Sequence, residues 1–442
     1  MHGHKFWLAG LLLAASATLA SGQAYYQEAP PAVAIAGPAP LPSEFVRRPR
    51  TASTQYSIGN PSANEQYLLE LLNRARAGAN AEATRLAAIT DTDVVGAIKF
   101  FGVNLTTMKS QFAALPQNEP PLAFNSMLMA SSGNHSQQML SGNFQGHGDI
   151  KNDPQGDSAA IAGRIHAAGY MYSTAAENVF AYGKSLIYIH AGFEIDWGSN
   201  PPSGMQNPAG HRLNDHDVNA TTPPGFFREV GIRVLAGPGD GNNLTPVGPM
   251  VVTYDLGTQQ TNTTLITGVV YKDKNANKFY DPGEGVGSVR VDVTGSDYFA
   301  LTASSGGYAV PVPSDGNYTV TFSGSGITTV IKNITVSGGK NVKVDDVIAT
   351  PIGKPTISKQ PTALTVKAGV AAIFQFSASG TGLSYQWFFG TKALANDSKH
   401  TGAFTNKLTV KKAAKADVGS YSCKVSNSAG AVTTAKVKLT VK

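Results

Sequence analysis

The chain has 442 residues, with 47 glycines, 25 prolines and only 14% charged residues. Its length exceeds one ordinary domain and points to about three, and its composition suits β-rich modules joined by turns better than a helical protein. The formal net charge of +6 is uneven, because residues 354–442 hold thirteen lysines, no arginine and two acids, Asp397 and Asp417, a net +11 that leaves −5 for the rest.

The start reads as a processing signal. His2, His4 and Lys5 precede an apolar run from Phe6 to Ala20, with small residues at Ala20, Ser21, Gly22 and Ala24. That pattern predicts a secretory signal peptide over 1–24. No internal apolar run is long enough to span a membrane, so a secreted protein, extracellular or held at the cell surface, is expected. Cys423 is the single cysteine, so no intrachain disulfide can form, and export without disulfides favours a bacterial source.

Residues 25–61 are Ala/Pro-rich and carry Arg47, Arg48 and Arg50. They lack apolar periodicity and read as an extended linker. A helix follows Ser62, because Ser62 and Glu65 have capping-box spacing, Leu68, Leu69, Leu72 and Ala75 share a face, and Gly78 supplies a stop. Residues 79–118 read as part helical, part irregular. A second helix is expected from about Asn125 to Leu140, stopped by Gly142, and a third between Asp157 and Gly169. Strand patterns appear at 230–235 and 250–256, so this stretch predicts a mixed α/β domain over 62–260. From Leu265 the pattern changes to short β-branched runs at 266–271, 289–293, 318–322, 331–336 and 342–347 between Gly, Ser and Asp turns, a β-sandwich over 264–350. A second sandwich is expected over 355–442.

Three phrases in the first domain carry chemistry: Asn143-Phe144-Gln145-Gly146-His147, Glu177-Asn178 and Gly210-His211-Arg212. Two neutral imidazoles suit Zn²⁺ or a similar divalent cation with coordination positions left open. A carboxylate beside a metal-bound water would serve as general base. The structural alternative is that these groups hydrogen-bond one another and organise loops.

Taken in order, residues 64–76, Pro121 to Asn125, His135 to Met139, Phe144 to His147, Gly169-Tyr170, Ala176 to Val179, Gly210 to Arg212 and Val230 to Ile232 resemble the CAP superfamily of cysteine-rich secretory, antigen 5 and pathogenesis-related 1 proteins, in a cysteine-poor form. The resemblance implies an α-β-α sandwich with two histidines and two glutamates around a cleft. His147, Glu177 and His211 match three of the four. Glu194 stands for the fourth and Asp196 is its alternative, since Glu194-Ile195-Asp196-Trp197 precedes an unusually long Gly/Asn/Pro loop. Glu177 and Glu194 are the candidate catalytic carboxylates, His147 and His211 the candidate zinc ligands, and His135 is read as structural. Within the family some members bind metal and some bind sterols or other lipids. No serine or cysteine here has a nucleophile context, which favours a binding cleft over a metal-dependent hydrolase of peptide or envelope material.

In the middle module, Asp273, Asn275, Asn277, Asp281 and Glu284 place side-chain oxygens at positions 1, 3, 5, 9 and 12 of an EF-hand-type calcium loop, and Phe279 offers its carbonyl at position 7. Lys278 replaces the glycine expected at position 6. A loop of this kind between strands resembles the calcium-binding B repeats of Gram-positive serine-aspartate-repeat adhesins, and implies calcium as a structural staple. At the C-terminus, Tyr385-Gln386-Trp387 and Asp417 to Cys423 resemble an immunoglobulin domain, with Trp387 in the core, Tyr421 as the tyrosine corner and Phe376 where the partner cysteine would stand. Its lysines suit a solvated face that protects strand edges, or attraction to an acidic envelope polymer. The fold expected is therefore multidomain, an α-β-α sandwich followed by two β-sandwiches. The function expected is binding of an extracellular ligand or envelope polymer, with no nucleic-acid partner. A structural surface protein with a vestigial cleft is the third reading.

Overall fold

The computed structural model describes residues 35–36, 54–151, 157–199, 203–220, 225–242, 246–349, 353–427 and 429–442. The expected signal peptide lies outside them. The chain divides into two compact units, 1–271 with 280–346, and 272–279 with 347–442. The first and middle modules thus share one unit, where three separate bodies were expected.

The first module is built on one sheet. Its strands are β1 (Ile35–Ala36), β2 (Thr54–Tyr56, which belongs to another sheet), β3 (Ala123–Phe124), β4 (Tyr172–Gly183), β5 (Glu229–Ala236) and β6 (Met250–Gln259). The order across the sheet is β1-β4-β6-β5-β3. Its helices are α1 (Ala63–Ala77), α2 (Ala79–Ala87), α3 (Thr92–Phe101), α4 (Leu105–Ala113), α5 (Ser126–Gly142), α6 (Asp157–Ala167), α7 (Leu186–Ile195) and α8 (Gly210–Asp215). Ser62 Oγ accepts from the Glu65 amide, and Glu65 Oε2 accepts from the Ser62 amide, so α1 starts at the expected capping box. Asn125 caps α5 with its side chain, which accepts from the Met127 and Leu128 amides. The stretch 79–118, read as part helical and part irregular, holds the three short helices α2, α3 and α4.

Helices cover both faces of the sheet. α5 packs on β5 and β6 and against α6, while α7 and α8 pack on β4, and α1 packs on α7 and β5. The closest approach is at Gly231 of β5, where an added Cβ would lie 2.1 Å from the backbone carbon of Leu128 in α5.

The middle module pairs β7 (Thr264–Asp273) with β10 (Gly307–Val312) and β13 (Val342–Lys343) in one sheet. The other sheet runs β12-β11-β8-β9-β2, with β8 at Arg290–Val293, β9 at Tyr298–Leu301, β11 at Gly316–Ser323 and β12 at Val330–Val336. Tyr308 and Phe322, one from each sheet, meet edge to face with ring centroids 5.7 Å apart. The fifth strand corrects the linker expectation. Thr54–Tyr56, read as linker from the sequence, pairs in parallel with Tyr298–Ala300. Tyr56 and Tyr298 stack edge to face across this pairing, a cross-strand contact that the Ala/Pro-rich composition upstream obscured. β14 (Asp346–Ala349) ends the module.

Polar contacts lock the two modules together. Asn341 donates to the Pro121 and Arg228 carbonyls at 3.0 and 2.7 Å. Lys343 Nζ lies 2.8 Å from Glu70 Oε2 on α1, and Gln66 donates to the other Glu70 oxygen at 2.8 Å.

The C-terminal module holds β15 (Thr356–Lys359), β16 (Leu364–Val366), β17 (Ala372–Gln375), β18 (Ser377–Ser379), β19 (Ser384–Phe389), β20 (Lys392–Ala393), β21 (His400–Thr401), β22 (Lys407–Val410), β23 (Gly419–Asn427), β24 (Gly430–Thr433) and β25 (Val437–Val441). One sheet runs β16-β25-β23-β19-β20 and another β17-β22-β21. Trp387, Phe374, Phe376, Tyr421 and Cys423 are buried together in its core. Tyr421 Oη donates to the Asp417 carbonyl at 3.0 Å, the tyrosine corner expected from the sequence. Phe376 packs edge-on to Trp387 at 5.6 Å. Burial pushes the Cys423 thiol up to about 12, so it is an inert core group.

Because the Gly231 contact is backbone to backbone, neither partner can move aside alone. Gly231→Ala is expected to cost about 3 kcal/mol by overpacking, read as a lower urea midpoint at unchanged m-value. A midpoint equal to wild type would show that α5 can slide on the sheet.

Candidate functional site

The residues singled out in the first module are organised by β4. This strand is buried along nearly its whole length and lies between β1 and β6. Its neighbour β6 sets Asp255 opposite Glu177 and Tyr254 opposite Asn178, with no register shift between them. Successive side chains of a strand point to opposite faces. Glu177 and Asn178 therefore look away from each other.

Glu177 faces α5 and α6. His147 Nδ1 hydrogen-bonds Glu177 Oε1 at 2.8 Å, and Arg164 of α6 donates to Glu177 Oε2 at 2.8 Å. The same guanidinium also reaches the His147 carbonyl at 3.0 Å and Asp149 at 2.6 Å. His135 of α5 sits 3.6 Å from Glu177 Oε1, while its Nε2 bonds the Gly146 carbonyl at 2.8 Å and so holds the loop that carries His147. Burial alone would raise the Glu177 pKa. The charges of His135 and Arg164, together with the His147 hydrogen bond, outweigh it and hold the carboxylate well below its usual range. Asp255 goes the other way. Burial and then the Glu177 charge lift its pKa well above that of an ordinary aspartate.

Asn178 faces α7 and α8. Its amide donates to the His211 carbonyl at 3.1 Å and to Asp215 at 2.9 Å, and accepts from Asn214 at 2.8 Å. The His211 ring turns to Asp196, with Nδ1 at 2.9 Å from Oδ1, and its backbone amide donates to Oδ2 at 3.0 Å. Asp196 is the C-cap of α7 in the left-handed conformation. Arg212 ties the end of α7 to α8 by donating to the carbonyls of Glu194 and Ile195. Glu194 does not meet His211. Its Oε2 bonds His216 Nε2 at 3.1 Å, and His216 Nδ1 bonds Glu119 at 2.9 Å. The alternative Asp196, not Glu194, is the carboxylate beside His211. His211 Nε2, Glu194 Oε1 and Tyr254 Oη are buried with no hydrogen-bond partner.

The three phrases thus meet on one strand but on its two faces. His147 with Glu177 forms one pair and His211 with Asp196 another. Among the described residues no group of three or more His, Cys, Asp or Glu is arranged to hold a metal ion. His147, Glu177, Glu194 and His211 are at most 2% exposed. Arg164, Asp255, Glu119 and His216 complete the networks and were not found from the sequence. Only His216, five residues after His211 on the same short segment, left a trace there.

The calcium-loop residues fall on both sides of the division between units. Within 272–279, Asp273 accepts the Asn277 and Lys278 amides at 3.2 and 3.1 Å, Asn275 accepts the Asn277 amide at 3.0 Å and Asn277 accepts the Phe279 amide at 2.7 Å. Lys278 takes φ +61°, the left-handed conformation that favours glycine at position 6. Within the other unit, Glu284 accepts the Asp281 amide at 3.0 Å, and Tyr271 and Gly285 form a β-bridge.

His216 bridges two carboxylates. Burial alone would lower its pKa, but Glu194 and Glu119 raise it from 6.5 to about 10, so it is an imidazolium at neutral pH. A raised pKa stabilises the fold fully below the unfolded value of 6.5 and loses that contribution as pH rises through about 10. The stability gap between wild type and His216→Gln is therefore expected to be widest near pH 6 and to shrink steadily toward pH 10 in parallel urea titrations. A gap that stays constant across that range would show that His216 is neutral.

Comparison with known proteins assigns one module. Residues 355–441 match the immunoglobulin I-set domain family. No curated protein sequence matches the chain. Among solved structures, it is similar to a chimeric titin Z1Z2 functionalized with a decorin peptide, at 27% identity over 21% of this chain and 98% of that chain, with a TM-score of 0.19. It is also similar to titin M4, at 19% identity over 21% of this chain and 100% of that one, TM-score 0.20. A third similarity is to extracellular domains 3–5 of Drosophila OTK, at 18% identity over 42% of this chain and 54% of that one, TM-score 0.20. The C-terminal module is an immunoglobulin-like domain of the I-set.

Proposed function

We propose that the chain is a secreted bacterial protein that engages extracellular partners through its immunoglobulin-like module, and that the first module is a CAP-type scaffold rather than an enzyme. The CAP reading rests on the ordered set of short motifs. It is supported by helices on both faces of a five-stranded sheet, with Glu177 on an inner strand and His147 hydrogen-bonded to it. The observation that carries binding over hydrolysis is burial. The candidate carboxylates Glu177 and Glu194 are fully covered and already engaged by histidine or arginine, whereas a general base must reach a substrate proton at hydrogen-bond distance. His211 Nε2 and Glu194 Oε1 mark where a small polar ligand of this module would be held. In a broad screen of peptide and ester substrates, neither wild type nor Glu177→Gln is expected to turn over anything above blank. Turnover by wild type that disappears in Glu177→Gln would replace this reading with a hydrolase.

Calcium in the middle module is part of the same proposal. Asp273, Asn275, Asn277 and the Phe279 carbonyl lie on a turn whose amides are gathered by the position-1 aspartate, and Lys278 accepts a backbone conformation suited to glycine. In the sequence spacing, Asp281 and Glu284 hold the last two side-chain positions of such a loop. A bound ion would staple the excursion between Tyr271 and Gly285. A chelator is then expected to lower the wild-type Tm by about 5 °C and to leave Asp273→Ala unmoved. Wild type indifferent to chelator would sink the calcium site.

A further inference from the structure

The lysines of the immunoglobulin-like module look scattered in sequence, but strand pairing sorts them. In β23 and β25 the register matches Tyr421 with Val437, Gly419 with Leu439 and Ser420 with Lys438. Tyr421, Val437 and Leu439 are buried in the core, so Ser420 and Lys438 point outward, and with them Lys424, four residues along β23. Lys436 and Lys442 flank β25 at the same even spacing from Lys438, and Lys442 continues the ladder by donating to the Val366 carbonyl at 2.9 Å. β16 runs parallel to β25, with Leu364 beside Leu439 and Thr365 beside Thr440. Thr365 thus faces outward and Lys367 follows it at the same parity.

One outer sheet face therefore gathers Lys367, Lys424, Lys436, Lys438 and Lys442, all exposed. Among the described residues none of the five is in an ion pair. The module's two acids are paired elsewhere, Asp417 with Lys399 at 2.7 Å and Asp397 with His400 at 3.2 Å. Lysines two residues apart on a strand are ~7 Å from each other at their Cα atoms, within a Debye length of ~8 Å at physiological salt. Their fields add instead of being screened one from another.

We propose that this face binds a linear anionic polysaccharide. The inference rests on the immunoglobulin-like module being the partner-binding part of the chain, and names the chemistry of the partner. Repeated positive points along straight strands match negative charges repeated along an extended polymer. Exposed hydroxyls at Thr365, Ser384 and Ser420 interleave with the lysines and suit sugar hydroxyls. The module has no arginine, hence none of the bidentate forks used to read phosphates and base edges. The aromatic side chain at this face is a half-buried Phe388, which is no stacking platform for bases. A lipid surface is disfavoured because the module's exposed large apolar side chains, Val370, Ile373, Phe404 and Val418, all lie outside β16, β19, β23 and β25.

The test uses the full chain with polygalacturonate as probe, alongside single-stranded DNA and phosphatidylglycerol vesicles. One variant changes Lys424, Lys436, Lys438 and Lys442 to Gln. A control of equal charge change converts Lys354, Lys359, Lys392 and Lys407 to Gln. Wild type is expected to bind polygalacturonate at about 50 mM salt and release it by about 200 mM. The face variant should lose about tenfold or more in affinity, and the control less than about threefold. Equal losses in both variants would make the attraction one of net charge and overturn the face, while leaving partner binding by the module intact. Failure to bind polygalacturonate, or DNA or vesicles held at least as tightly, overturns the polysaccharide.

Discussion

A carboxylate in the middle of a sheet covered on both faces must be paired or neutralised, because an isolated buried charge costs several kcal/mol. Glu177 is such a group, and the first module is arranged around satisfying it. Arg164 brings α6 onto the sheet, His147 brings the loop after α5, and His135 fixes that loop by its Gly146 carbonyl. Asp255, directly across the ladder, has its pKa raised by burial and by the Glu177 charge. On the reverse face Asn178 takes up the carbonyl of His211 and the carboxyl of Asp215, so one dipeptide positions helices on both sides. This explains why motifs far apart in sequence converge on one strand while facing different helices. They share a strand, and a strand separates its neighbours.

The same constraint runs into the middle module. Glu70 on α1 is buried, which raises its pKa, and Lys343 of the sandwich supplies the opposing charge. Leaving either partner alone would strand a charge at the junction. Together with the Asn341 hydrogen bonds to the Pro121 and Arg228 carbonyls, and with Thr54–Tyr56 lying as an edge strand of the later sheet, this makes the two modules one compact unit. Tyr280 extends the junction by packing with Val269, Tyr271 and Tyr67 of α1.

What the sequence made legible follows from the locality of each signal. The α1 capping box depends on residues three positions apart and stands where it was read, and α5 starts just after Asn125, close to where its helix was expected. The tyrosine corner needs four residues and is equally plain. β4 was missed because a strand buried on both faces has no polar-apolar alternation, and Glu177-Asn178 in its midst looks like a loop. Which histidine meets which carboxylate was legible only as alternatives, with Asp196 offered beside Glu194. His211 with Asp196 and His216 with Glu194 depend on how α8 folds back on the end of α7, an arrangement set by Arg212 reaching two backbone carbonyls.

The immunoglobulin-like module shows how such a reading sharpens once register is known. Without a disulfide its core rests on Trp387, Phe374, Phe376 and Tyr421, with Phe376 filling the place of the missing cysteine beside Trp387. Core strands of this kind leave alternate positions free for solvent, and any lysine protects an edge from pairing with another chain. Edge protection, however, asks for charge on the outermost strands. Lys424 and Lys438 sit on β23 and β25, which are inner strands of the order β16-β25-β23-β19-β20. Lysines in the middle of a paired face guard no edge, and their gathering there without a carboxylate among them is what a docking surface for a polyanion requires.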